Sequence, residues 1–281
     1  SSITCRVCVQ IRSVLITTRY GSARASELAS SIVGMVHAKG CSVYTVNPLA
    51  VGYAREIDED MIKALDLDLA ITVGGDGTVL RTARWLSKQV PILAIRLPTS
   101  KGMLAEVTAE ASDIEYAMQR LFSNSFYIER RMRIIASVDG KALQPALNEI
   151  LITRDSLTRT PTYRIRIMGT EVAYRMDGLI ASTPTGSTGH SLSFGGVIVY
   201  EGLEAMMITP IASINRLPSI VIPVTSVEVN SNMDAKMVID GQVVHDVKQG
   251  HVISIGRYEH DALFVRFEPR GLRQLTSMHD G

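Results

Sequence analysis

The sequence predicts an α/β domain followed by a mainly β domain, and three observations carry that prediction. Apolar strand-like runs alternate with helical periodicity in the first third of the chain, the pattern of a parallel sheet covered by helices. Within that part, a buried-strand pattern opens through Gly74, Gly75 and Gly77 directly into a helix. Beyond Phe122 the chain becomes a series of short alternating segments separated by turn residues. The boundary is expected near Asn124, giving domains 1–123 and 124–281, with a C-terminal tail that can pack back on the first domain.

Ser13 to Thr18 reads as a strand, and Ser22 to Lys39 has helical periodicity through Leu28, Ile32, Met35 and Val36. Ser42 to Val46 is a second strand, Asp60 to Leu65 a short helix, Leu67 to Val73 a third strand, Thr78 to Ser87 a helix and Pro91 to Ile95 a fourth strand. Ala111 to Phe122 reads as a helix. In the β part, Arg133 to Val138, Tyr163 to Met168 and Glu171 to Met176 alternate as strands, and Asp139-Gly140, Gly169-Thr170 and Asp240-Gly241 suit tight hairpin turns.

With 281 residues, 46% of them apolar, the chain can fill well-packed cores. Its 29 Lys and Arg nearly cancel 28 Asp and Glu, so no field is expected that would gather nucleic acid or an anionic membrane. A small polar ligand suits this balance better. No apolar run approaches the roughly 20 residues that span a bilayer. Ser1 to Arg12 lacks the order of a signal peptide, which predicts a cytoplasmic protein. Cys5, Cys8 and Cys41 are too few for a disulfide framework. Cys5 and Cys8 have redox or metal spacing but no second pair, and read as small apolar strand residues.

The segment from Leu69 through Gly74-Gly75-Asp76-Gly77-Thr78 to Arg81 is a strand, glycine loop, helix unit. Glycines let backbone N–H groups approach phosphate oxygens, and a helix start adds partial positive charge. Gly74, Gly75, Gly77 and Thr78 are therefore a candidate phosphate loop. Asp76 would lie among those amides, able to hold a divalent cation or accept a proton from an attacking hydroxyl. A helix cap starting the helix at Thr78 explains Asp76 but not three glycines within four residues. There is no Gly-x4-Gly-Lys-Ser/Thr, and Leu80 breaks Gly-x-Gly-x-x-Gly, which disfavours a P-loop enzyme or an ordinary dehydrogenase. A second segment, Met176 to Gly196, is dense in hydroxyls and glycines, suiting a loop that wraps ribose hydroxyls and phosphates. In a third, Asn148-Glu149 precede an apolar strand, where an exposed turn is an equal reading.

Gly74-Gly75-Asp76-Gly77-Thr78, Asn148-Glu149, and Asp177-Gly178 running on through Ser182 to Thr188 resemble, in order and spacing, the three signature motifs of the NAD kinase family. The glycine loop alone is shared with phosphofructokinases and with lipid kinases of the diacylglycerol and sphingosine type; the combination is specific to the family. The resemblance covers nearly the whole chain. It implies a Rossmann-like first domain, a multi-stranded β second domain, a nucleotide site between them and a homodimer or homotetramer. It also implies phosphoryl transfer from ATP, another nucleoside triphosphate or polyphosphate to the 2′-hydroxyl of the adenosine ribose of NAD. Asp76 would be the catalytic carboxylate, with Asn148 and Glu149 on the ribose and adenine region. Gly77, Arg81, Arg175, Asp177, Thr188, Gly189, His190, Ser191, Leu192, Ser193 and Gln242 would complete the NAD contacts. Such transfer implies Mg²⁺, or another divalent metal, carried with the phosphates rather than in a protein cage, with Asp76 as its one candidate protein contact. A lipid or sugar kinase and an inactive NAD(P) sensor are the rival readings, and retention of Asp76 argues against the sensor.

Two departures stand out. Gly189-His190 replaces the family's usual Ala-Tyr, and the imidazole has the shape to stack on a base or bond a phosphate. Ala94 to Leu104 keeps only Gly102 and its apolar flank of the usual glycine-rich stretch, while adding Arg96 and Lys101, which read equally as phosphate contacts or solvated side chains. His245 and His251 have no metal-ligand partner pattern and are expected on strands or at the surface.

Overall fold

In this computed structural model, residues 10–86, 88–100, 102–269 and 271–276 are described. Cys5, Cys8, Ser87 and Lys101, with the expectations placed on them, lie outside the described residues. The chain divides into two compact units, one formed by Ser1–Arg130 with Ala262–Gly281 and the other by Arg131–Asp261. The sequence boundary at Asn124 falls a few residues before this division, and the C-terminal segment belongs to the first unit.

The first unit opens with β1 (Ser13–Thr18), α1 (Ala23–His37), β2 (Ser42–Val46) and β3 (Arg55–Ile57). Ser22 caps α1 by accepting the Ala25 N–H, and Leu28, Ile32, Val33 and Val36 form its buried stripe. The expected helix at Asp60 is a 3-10 helix over Glu59–Ala64. Next come β4 (Leu69–Gly74), α2 (Asp76–Trp85), β5 (Pro91–Arg96), β6 (Val107–Thr108), α3 (Ala111–Phe122) and β7 (Tyr127–Arg131). Helix α2 starts two residues before the expected Thr78, with Gly75 as its N-cap, so Asp76 lies in the first helical turn. The strand order β3-β2-β1-β4-β5 is parallel throughout. Its core packs Val14, Ile16, Ile71 and Val73 with the apolar faces of α1 and α3.

The second unit contains β8 (Ile134–Val138), β9 (Lys141–Ala146), β10 (Glu149–Arg154), β11 (Thr162–Ile167), β12 (Thr170–Arg175) and β13 (Gly178–Ser182). A 3-10 turn at Thr185–Thr188 leads into the short α4 (His190–Ser193). The unit then adds β14 (Ala205–Ile211), β15 (Ile220–Pro223), β16 (Val227–Ser231), β17 (Ala235–Ile239), β18 (Val243–Val247) and β19 (Val252–Arg257). These strands make two antiparallel sheets, β15-β14-β13-β10-β17-β18 and β12-β11-β16-β19-β8-β9. Their inner faces share one core, in which Ile150, Leu179 and Ile239 of one sheet meet Ala136, Ile165 and Ile253 of the other. Two hairpins turn through left-handed pairs as expected, Asp139-Gly140 and Asp240-Gly241. The third turns through Met168-Gly169, one residue earlier than expected, and leaves β-branched Thr170 to begin β12.

The chain then returns to the first unit as β20 (Ala262–Arg266), parallel to β5 and flanked by β7, and ends in α5 (Arg273–Thr276). Within the described residues no helix is long and apolar enough to cross a membrane.

Close backbone approach explains one motif glycine. A Cβ at Gly178 would lie 2.3 Å from the Ile152 carbonyl oxygen. That oxygen belongs to the paired strand and cannot rotate away. Gly178→Ala should therefore destabilise the protein by about 1–3 kcal/mol, read as a lower denaturant midpoint. An unchanged midpoint would contradict this packing.

Candidate active site

The chain leaves β1 toward β2 and β3 on one side, and leaves β4 toward β5 on the other. The carboxyl ends of β1 and β4 thus form the switch point at which an open α/β sheet presents its ligand crevice. Gly74 ends β4 there, and a Cβ on it would stand 2.3 Å from Thr78 Oγ1. This contact also places Thr78, which is buried with its hydroxyl packed against Gly74.

Asp76 is fixed through both carboxylate oxygens. Met103 N–H donates to Oδ2 and Leu104 N–H to Oδ1, each at 3.0 Å. Burial raises the Asp76 pKa, while those two N–H groups and the Arg266 and Arg96 cations oppose the rise. The outcome is a carboxylate somewhat more basic than usual, beside the exposed Gly77. Arg81 is half-buried and engaged by the protein itself. Its Nη2 donates to the Thr18 carbonyl at 2.6 Å, and its guanidinium stacks 3.7 Å from the Tyr20 ring centroid. The side chain of Arg96 lies over Gly102, where a Cβ would come within 2.5 Å of it.

In the second unit, Asn148 and Glu149 stand at the entry to β10, held by a residue the sequence reading took for a hairpin turn. Asp240 is buried, and its carboxylate accepts the N–H groups of Leu147 (3.0 Å), Asn148 (2.8 Å) and Glu149 (3.2 Å). Thr183 reaches the same segment: its N–H donates to the Asn148 carbonyl at 2.9 Å and its hydroxyl to the Leu147 carbonyl at 2.5 Å. Gly186 lies so close that a Cβ would meet the Asn148 oxygen at 2.1 Å, and a Cβ on Gly189 would lie 3.2 Å from Glu149 Oε2. The structure thus joins the second and third sequence segments into one surface.

Several hydroxyls of the Met176 to Gly196 segment turn inward and bond the protein itself. Ser187 Oγ donates to the Pro184 carbonyl and Ser191 Oγ pairs with Thr209 Oγ1 at 2.8 Å; Thr183, Ser187 and Ser191 are all buried. Small polar residues serve here to satisfy a tight turn from within. Thr188 and Gly189 are half-buried, and His190 and Ser193 are exposed, with His190 packing at 5.2 Å on the Phe194 ring. Leu192 is half-buried. Asp177 pairs with Arg154 at 2.9 Å, while Arg175 and Gln242 are exposed. His245 and His251 bond Gln144 and Asp139, respectively.

Glu149 Oε2 is buried without a hydrogen-bond partner. Burial first, then the charge of Asp240, pushes the Glu149 pKa from 4.5 up to about 7. The folded protein therefore holds this proton where the unfolded chain has released it. Its contribution to stability is complete below pH 4.5 and is lost as pH rises through about 7. Glu149→Gln should gain on the order of 3 kcal/mol over the parent above that range, with little difference at pH 4. Parallel denaturant titrations at both pH values measure it; an equal difference at each would contradict a titrating Glu149.

The family of ATP-NAD kinase N-terminal domains matches residues 14–126, and that of ATP-NAD kinase C-terminal domains matches residues 147–267. The NAD kinase of Thermococcus sibiricus is 32% identical over 263 residues, covering 91% of this chain and 94% of the relative. That of Methanoculleus marisnigri is 32% identical over 259 residues, covering 90% and 93%. The crystal structure of an NAD kinase from Archaeoglobus fulgidus in complex with ATP superposes with a TM-score of 0.75 at 27% identity, covering 95% of this chain and 99% of that one. Yeast NADH kinase complexed with NADH shares the fold, with a TM-score of 0.85 at 21% identity over 96% of this chain and 87% of its own. With both domain families matched in order and relatives aligned over nine-tenths of its length, this chain belongs to the ATP-NAD kinase family.

Proposed function

We propose that this protein transfers the terminal phosphoryl group of ATP to the 2′-hydroxyl of the adenosine ribose of NAD, producing NADP and ADP. One observation carries the assignment of the chemistry to Asp76: a half-buried carboxylate at the switch point of the parallel sheet, held through both oxygens and raised in basicity by burial. Such a group can orient the attacking hydroxyl and take its proton as the bond to phosphorus forms. The first turn of α2 directs partial positive charge to the same edge, which suits the phosphates of the donor. Asn148 and Glu149, with the Thr188 to His190 turn against them, would hold the acceptor nucleotide. Arg81 would act indirectly, by holding the end of β1.

A divalent cation, Mg²⁺ in this reading, supplies charge neutralisation on the transferring phosphates when bound. Among the described residues no group of three or more His, Cys, Asp or Glu could hold a metal; in this reading the cation would arrive on the donor phosphates. Asp76 keeps lone pairs beyond its two backbone bonds and is the side chain suited to contact it. The same reading has the enzyme in the cytoplasm as a homodimer or homotetramer.

Incubating the purified protein with ATP, Mg²⁺ and NAD should yield NADP. Asp76→Asn should lower kcat by about 10² to 10⁴-fold with NAD affinity retained. Asn148→Ala should raise KM for NAD more than KM for ATP. No NADP from the parent protein would contradict the function, near-normal turnover in Asp76→Asn would remove its assigned role, and equal KM changes would move Asn148 out of the acceptor site.

A further inference from the structure

The backbone that grips Asp76 is itself gripped by the end of the chain. Residues 103–106 have little regular structure of their own beyond the Glu106 N–H bond to the Ala94 carbonyl. From β20, Arg266 donates Nη1 to the Leu104 carbonyl at 2.8 Å and lies 3.5 Å from Glu106 Oε2. From α5, Arg273 donates Nη1 to the Ala105 carbonyl at 3.2 Å and Nη2 to Glu106 Oε2 at 2.6 Å. Glu106 Oε1 accepts the Phe267 N–H at 2.8 Å. Arg266, Arg273 and Glu106 are all buried.

We propose that Arg266 and Arg273 are positioning residues for the phosphoryl-transfer step: by fixing residues 104–106 they hold the Met103 and Leu104 N–H groups at Asp76, and so set the direction of its carboxylate. The proposal rests on the reading of Asp76 as the proton acceptor. Three features support it. Both arginines bond main-chain carbonyls of this one segment, so they fix its backbone directly as well as pairing with the Glu106 side chain. The buried Glu106 joins the two guanidinium groups, so the segment cannot shift without breaking charged hydrogen bonds. The N–H groups concerned are the ones that bond the two Asp76 oxygens. Docking of the C-terminal segment is then a condition for an aligned active site, though neither arginine touches the reacting atoms.

The test compares Arg273→Gln and Arg273→Lys, each alone and combined with Asp76→Asn. A lysine keeps charge beside Glu106 but lacks the fork that also reaches the Ala105 carbonyl. In Arg273→Gln, kcat for NADP formation should fall by about 10 to 10²-fold, the cost of a slight misplacement, while KM for NAD stays within about twofold. Arg273→Lys should recover part of that loss. Hydrogen exchange at the Met103 and Leu104 amides should quicken by about tenfold in Arg273→Gln. In the Asp76→Asn background the same substitution should cost no further activity, because the group it positions is gone. A normal kcat in Arg273→Gln beside a crippled Asp76→Asn overturns the positioning role alone, as does an equal loss in both backgrounds. Near-normal turnover in Asp76→Asn overturns the reading beneath it. If Arg273→Gln does not fold, Arg273→Lys decides by the same three readouts.

Discussion

A carboxylate that is to accept a proton must be held still without being neutralised. In this protein two main-chain N–H groups do the holding: those of Met103 and Leu104 each bond one oxygen of Asp76. Amide donors fix direction and carry no full charge, so they oppose the rise in pKa caused by burial without abolishing it. The local chain geometry brings the carboxylate to this place. Gly74 lets β4 end against Thr78, Gly75 caps α2, and Asp76 thereby enters the first helical turn beside the carboxyl edge of the sheet.

The second unit uses the same pairing of carboxylate and backbone for a different end. Asp240 is buried and bonds three successive N–H groups, at Leu147, Asn148 and Glu149, which shapes the chain into a rigid entry to β10. Gly186 and Gly189 then close the Thr185 to His190 turn against that entry. Internal bonding of Thr183, Ser187 and Ser191 satisfies most of the buried hydroxyls of this polar segment, with Ser182 Oγ buried and unpaired. Rigidity of this kind favours a ligand by reducing the ordering it must impose.

Fold class was legible because its signals are local. The stripe Leu28, Ile32 and Val36 identifies α1, the left-handed pairs Asp139-Gly140 and Asp240-Gly241 identify hairpins, and Gly74 to Thr78 identifies the strand-to-helix loop. What escaped sequence reading is what joins distant residues. Asp240 acts on a segment 92 residues away at Asn148, and Arg266 on one 162 residues away at Leu104, separations at which no periodicity or spacing leaves a trace. The hydroxyl-rich segment was legible as special but not in its purpose, since composition cannot tell an inward-facing Ser191 from one facing a ligand. Arg81 escaped for a related reason: its helical position says which face it occupies, not that the Thr18 carbonyl and Tyr20 ring await it.

In the proposed reaction an oriented Asp76 activates one hydroxyl, the 2′-hydroxyl of the adenosine ribose. The most direct measurement offers the enzyme an NAD analogue lacking that hydroxyl, together with ATP and Mg²⁺, and follows phosphorylation by ³¹P NMR alongside calorimetric binding. The analogue should bind within about tenfold of NAD, since one lost hydrogen bond costs on the order of 1 kcal/mol, yet gain no phosphoryl group. Phosphorylation of the analogue at any other position would contradict it.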